Sequence, residues 1–234
     1  MPDRAVEPEP DRTDTGRSAA ALGLAFLELL PVDGVSISVF NQARKQSTIF
    51  ASDATAARLD EAQFDLGEGP SFDSLRSTEP LSLPNLAASA ALRWPVFANA
   101  ISGLQARGLF LFPLVMGAAS IGVASVYRTS TGSLSHDDLA TGVAVARSIA
   151  NPALRRAAQL AWQDTSSSGI PPIELRREVH QATGMIVAQL NTSATDAFSR
   201  LRAHAFSTNR TVHEVSGDVL SRRLDFSLLA DDPR

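Results

Sequence analysis

The stretch from Gly108 to Tyr127 runs twenty residues without a charged side chain, between Arg107 and Arg128, and what it becomes decides the class of the whole chain. An apolar run of that length can cross a bilayer as a helix. Its middle argues for something else: Pro113, Gly117, Ala118, Ala119, Ser120 and Gly122 interrupt it, and both halves are rich in strand-forming residues. The reading is two buried strands joined by a turn, in a cytoplasmic protein that makes no membrane contact. The first 17 residues mix Pro with alternating charge and lack the apolar core of a signal peptide, so a disordered tail is expected there.

The rest of the N-terminal half alternates helices and strands. Leu22, Phe26, Leu29 and Leu30 recur at helical spacing, and Pro31 with Asp33-Gly34 ends that helix before Val35, Ile37 and Val39 alternate with Ser36 and Ser38. A strand is expected over 45–52, a helix over 54–64, the loop Leu66-Gly67-Glu68-Gly69-Pro70, a helix over 71–77, an extended 80–84 and a helix over 93–104. The class is α+β, with an antiparallel sheet flanked by helices. Phe72, Trp94 and Phe97 either line a pocket for a small effector or belong to the plain core.

From Ser135 the pattern is helical for some thirty residues. Ser135 and Asp138 fit a capping box, and Leu139, Val143, Ala146, Ala150, Ala153, Ala157 and Leu160 then recur by four and three. That seam suits a homodimeric coiled coil and equally a helix covering its own sheet; Pro152 is expected to kink it. Thr165 to Gly169 and Pro171-Pro172 read as a linker. Three helices follow: 172–190 with Leu175, Val179, Ala182, Ile186 and Leu190 on one face, a second opened by Ser193 and Asp196, and a third opened by Thr211 and Glu214.

Composition removes several chemistries. The chain has no Cys, so thiolate metal sites, iron–sulfur clusters and cysteine nucleophiles are excluded. Gly67-Glu68-Gly69 has Phe72 where a dinucleotide loop needs its third glycine, His136 sits at a helix start, and His180, His204 and His213 show neither supporting Cys nor zinc-protease spacing. Neither an enzyme, a cofactor nor a metal site is expected. The net charge of −4 is unevenly spread: residues 1–169 carry 13 Arg/Lys against 17 Asp/Glu, and 170–226 carry 7 Arg against 6 Asp/Glu with three of the four His. The C-terminal part is the one suited to a polyanion.

In the first helix of that part Arg177, His180, Gln181, Gly184 and Ala188 share a face, a cation and hydrogen-bonding groups beside two positions with little side chain. Gly184 inside a helix costs ~1 kcal/mol relative to Ala, which calls for close packing on the second helix or close approach of a nucleic acid. Arg200, Arg202, Arg210, Arg222 and Arg223 add planar forks suited to phosphate or guanine, or to a solvated surface.

The run Arg177-Glu-Val-His-Gln-Ala-Thr-Gly-Met-Ile186, with Asp196-Ala197, Leu201-Arg202-Ala203-His204-Ala205 and Val215 to Val219, resembles the ANTAR domain, a three-helix RNA-binding module of bacterial regulators. The preceding region, with Leu66-Gly-Glu-Gly-Pro70 and Arg93-Trp94-Pro95, resembles the GAF sensor domain that precedes ANTAR in many actinobacterial proteins. The resemblance implies five segments: a tail over 1–17, a GAF-like domain over 18–134, a connecting helix and linker over 135–169, an ANTAR domain over 170–226 and a C-terminal tail over 227–234. It also implies a signal-responsive, usually dimeric regulator that binds stem-loops in leader RNA, in antitermination or post-transcriptional control. Its RNA-contacting set here would be Arg177, His180, Gln181, Thr183, Gly184, Arg200, Arg202 and Arg210. Many ANTAR domains carry Lys where this chain has Thr183, so one phosphate contact would be absent. The alternatives are a non-catalytic dimerisation or small-ligand sensor that docks a protein partner, and a DNA-binding regulator.

Overall fold

The computed structural model describes residues 12–40, 46–163, 171–208 and 210–230. In chain order, α1 (Arg12–Leu29) leads into β1 (Gly34–Phe40) and β2 (Gln46–Ala51). Then come α2 (Ala54–Leu66), α3 (Pro70–Ser74), β3 (Leu81–Leu83), α4 (Leu86–Arg93) and α5 (Pro95–Ala100), followed by β4 (Gly108–Met116) and β5 (Ala119–Arg128). The long α6 (His136–Gln163) ends the first unit, and α7 (Pro171–Leu190), α8 (Ala194–Ser207), α9 (Val212–Leu220) and α10 (Phe226–Ala230) make up the second.

The uncharged stretch is the β4–β5 hairpin, turning at Gly117, whose φ of 62° is easily reached only without a Cβ. The sheet is five-stranded and antiparallel in the order β2-β1-β5-β4-β3. Its apolar run is continuous because the sheet is covered on both faces. Phe110, Phe112 and Leu114 of β4 pack with Val35, Ile37 and Val39 of β1 against α1 and α6, with the Phe26 and Phe112 rings stacked at 5.8 Å. Leu109 and Leu111 face the other way, toward Leu59 of α2, Ala90 of α4 and Phe97 of α5. Close strand approach is built in at Gly122, where a Cβ would sit 2.5 Å from the Ser38 carbonyl oxygen. Among the described residues, no helix is long and apolar enough to cross a membrane.

A buried polar cluster fastens β1 and β2 to α2. The Asp60 carboxylate accepts from the Ser38 hydroxyl at 2.7 Å, the Gln46 amide at 2.6 Å and the Thr48 hydroxyl at 2.5 Å. Three donors on two strands thus converge on one carboxyl group, and any of them lost leaves a buried polar group short of a partner.

Three expectations need correction. Residues 12–17 lie in α1 and not in a tail, while 1–11 and the linker from 164 to 170 lie outside the described residues. Of the helix expected over 93–104 only α5 forms, over Pro95–Ala100; Arg93 instead ends α4, and the two are parted at Trp94 because Pro95 cannot donate a hydrogen bond and opens a new helix. The region from 227 continues as α10, anchored by the buried Phe226 ring and by its N–H, which donates to Gln189 Oε1 at 3.1 Å. Of the two readings of the α6 seam, its own domain uses the middle part: Ala146, Ala150 and Ala153 are buried against the sheet and α1, and α6 runs through Pro152 without ending. Along that part the spacing reports a core-facing helix.

Candidate nucleic-acid interface

Local signals set the C-terminal bundle. The Ser193 hydroxyl accepts from the Asp196 N–H at 3.1 Å at the start of α8. At α9 the box is reciprocal: Thr211 Oγ1 accepts from the Glu214 N–H at 3.1 Å, and Glu214 Oε2 accepts from the Thr211 N–H at 2.8 Å. The capping hydrogen bond from the Thr211 backbone is the main reason the Glu214 carboxyl titrates below its ordinary value. Val179, Ala182, Ile186, Ala197, Leu201, Ala205, Val212, Val215 and Val219 form the core between the three helices.

The predicted RNA-contacting residues separate into three groups. Gln181, Gly184 and Ala188 are exposed along one face of α7, and His180 is half-buried. A Cβ built on Gly184 meets nothing within 4 Å, so the glycine makes no room for a neighbouring helix. Of the two explanations for a mid-helix glycine, close helix packing is absent there, and an open surface remains. Arg177 belongs to α7, but its side chain lies outside the described residues. Arg200 is exposed on α8. On the same helix Ala203 and Phe206 are also exposed, the Phe206 ring by 68%. No sequence pattern distinguishes Phe206 from a core aromatic, since its exposure depends on how α8 rotates in the bundle.

A second group holds the bundle together. Thr183 is buried to 8% exposure, and its hydroxyl donates to the Val179 carbonyl at 2.7 Å, so it faces inward and is removed from the RNA-contacting set. Arg210 pairs with Asp218 at 2.7 Å and donates to the Glu214 carbonyl at 3.2 Å, closing the α8–α9 loop onto α9. Asp218 also holds Arg223 at 2.6 Å, and hydrogen bonds from Arg210 and then Arg223 keep its carboxyl below the ordinary range.

Arg202 forms the third group alone. The sequence offers its planar fork to phosphate or guanine, or to a solvated surface. Instead it reaches the N-terminal domain. Nε donates to the Asp65 carbonyl at 2.6 Å and Nη2 donates to the Leu66 carbonyl, both in the last turn of α2. Helix-end carbonyls lack intrahelical donors and carry the negative end of the helix dipole, so a guanidinium satisfies them twice over. Burial lowers the Arg202 pKa, opposed by the nearby Asp65 and Glu68 carboxylates. Around this contact, Phe64 of α2 is part of the bundle core, its ring 5.5 Å from that of Phe198. The Val212 N–H at the start of α9 donates to Asp65 Oδ2 at 3.4 Å, and α7 lies against the edge strand β2. The sequence showed Phe64 only as the end of an amphipathic helix, because nothing local distinguishes burial within a domain from burial against the next one.

The three aromatics named for a pocket or for the core lie together on the helical face of the sheet. Phe97 is fully buried and Trp94 nearly so, while Phe72 meets Phe40 edge-on with ring centroids 5.6 Å apart.

Comparisons with known proteins agree with this division. Residues 173–220 match the family model of the ANTAR domain. No curated protein sequence matches the chain. Among solved structures, a domain of a protein described as a two-component sensor histidine kinase, from Sinorhizobium meliloti 1021, superposes with a TM-score of 0.50 at 22% identity, covering 63% of this chain and 96% of that one. The GAF domain/HD domain protein from Geobacter sulfurreducens gives 0.47 at 17% identity over 62% of this chain and 95% of its own. The GAF domain of a phosphoenolpyruvate-protein phosphotransferase from Coxiella burnetii gives 0.45 at 17% identity over 64% and 91%. A five-stranded antiparallel sheet, covered by helices on both faces, thus precedes the segment over residues 173–220 that matches the ANTAR domain.

Proposed function

We propose that this protein is a signal-responsive regulator that binds RNA hairpins in leader transcripts through its ANTAR domain and controls antitermination or a post-transcriptional step. The observation that carries the reading is the ANTAR match over 173–220, which includes the open face of Gln181, Gly184 and Ala188. The positions with little side chain at Gly184 and Ala188 let a nucleic-acid backbone come close, and on α8 the exposed Arg200 offers a cation and the exposed Phe206 ring a stacking surface for an unpaired base. A chain of net charge −4 suits selective loop recognition better than indiscriminate coating of duplexes.

The protein works by binding and not by catalysis, in the cytoplasm, as a homodimer whose sensor domain answers to a small effector. Crosslinking in the native cell followed by sequencing of the bound RNA tests the class and names the target. Titration of the full chain with a recovered hairpin and with duplex DNA of the same sequence follows. Recovery of stem-loops from leader regions, bound more tightly than the DNA, is the expected result. Preference for duplex DNA would make this a DNA-binding regulator, and absence of any enriched nucleic acid would make it a sensor that docks a protein partner.

A further inference from the structure

We infer that Arg202 is an interdomain latch, which closes the ANTAR bundle onto the last turn of α2 and so opposes RNA binding until the sensor domain releases it. The inference rests on the RNA reading for its consequence, but the latch itself stands on the contacts. Arg202 spends donors from two nitrogens on the Asp65 and Leu66 carbonyls and lies over the Phe198 ring, its Cζ 5.7 Å from the centroid. Guanidinium donors committed in this way are withheld from phosphate. Beside it, Phe64 leaves its own domain to complete the bundle core, so the two units share apolar surface as well as hydrogen bonds.

The α2 end is also where the sensor domain can act. Gly67 closes α2 with a φ of 63°, its N–H donating to the Gln63 carbonyl at 2.8 Å, and Gly69 follows at a φ of 130°. A Cβ on Gly67 would lie 2.5 Å from Arg202 Nη1, so an alanine there requires the guanidinium to shift off the end of α2. From the same turn, Gln63 Oε1 accepts from the Ser71 N–H at 2.7 Å, and the Ser71 hydroxyl lies 3.5 Å from that of Ser125 in the central strand β5. A change at the helical face of the sheet therefore has a short, hydrogen-bonded route to the carbonyls that Arg202 holds. Two arrangements follow: one docked, with Arg202 on α2, and one released, with the bundle free to turn and one more cation available.

Because the chain lacks Cys, spin labels can be placed at will. Leu92→Cys on α4 and Phe206→Cys on α8 are both well exposed, one on each unit. Distances between the two labels are measured by pulsed electron resonance in the full chain, alone and carrying Arg202→Gln or Gly67→Ala. The expected result is one narrow distribution for the labelled parent and an added longer population in both variants. In the unlabelled chain, Gly67→Ala, which keeps Arg202, should raise hairpin affinity about threefold or more as the released state gains population. Unchanged distances in both variants overturn the latch. So does a released population with no gain in the hairpin affinity of Gly67→Ala. Loss of hairpin binding in Arg202→Gln alone, with distances unchanged, would make Arg202 an RNA contact instead. Should the parent bind no hairpin at all, the functional proposal fails, while the label distances still decide whether the two units are latched.

Discussion

Replacing Gly184 by alanine should stabilise the protein and weaken its hold on RNA. The position is exposed in the interior of α7, its backbone is helical, and an added Cβ meets nothing within 4 Å. No steric cost therefore opposes the gain in helix propensity, which for Gly to Ala is roughly 0.5–1 kcal/mol. For a unit of sixty residues that is a rise of roughly 2–8 °C in melting temperature, readable by circular dichroism. If an RNA backbone packs on this face, the same methyl intrudes on a close contact and should cost on the order of 1–3 kcal/mol in binding, about 5- to 150-fold in Kd. Gly217→Ala serves as the control: it sits in α9, its added Cβ likewise meets nothing, and it should stabilise without touching affinity. A stabilised Gly184→Ala protein with unchanged hairpin affinity would show that RNA does not approach this face. A destabilised one would show that the open space is not open.

Arg200 and Arg210 carry the same charge, yet their hairpin affinities should respond differently to alanine. Arg200→Ala should weaken binding and flatten the salt dependence by about one unit of slope, whereas Arg210→Ala, already committed to Asp218, should mainly cost roughly 0–1 kcal/mol of stability. Thr211→Ala removes one side of the α9 capping box and should destabilise the bundle by about 0.5–2 kcal/mol in urea unfolding. The folded bundle holds the Glu214 and Asp218 carboxyls below their ordinary values, so their contribution is present above the unfolded carboxylate range and lost as pH falls through the depressed folded values. An acid titration should thus loosen α9 in that window, and less so in Thr211→Ala; equal acid sensitivity would contradict the assignment. Gly122→Ala, which drives a methyl into the Ser38 carbonyl between β1 and β5, should unfold the N-terminal domain at temperatures the parent withstands.

The amino-acid sequence by itself determined whatever acts within a turn or two of chain. The capping boxes at Ser135 and Thr211, the hairpin turn at Gly117, the alternation in β1 and the inward faces of α7, α8 and α9 are set by side chains that reach their own neighbouring backbone. The ANTAR and GAF resemblance rests on residues whose order along the chain carries the information. Tertiary structure alone decided against what each buried face packs. The α6 spacing says that one side of a helix is covered, and only the fold shows that its own sheet covers it. Thr183 and Gly184 are neighbours on one helix, yet one is buried and the other open, since one residue is a rotation of about 100° and the bundle's rim falls between them. Arg202 lies 137 residues from the carbonyl it grips at Asp65, and an arginine on a helix has no local mark that it will end on a distant helix terminus rather than in water. Such choices come from burial shared by two domains, a property of their meeting and of neither sequence segment alone.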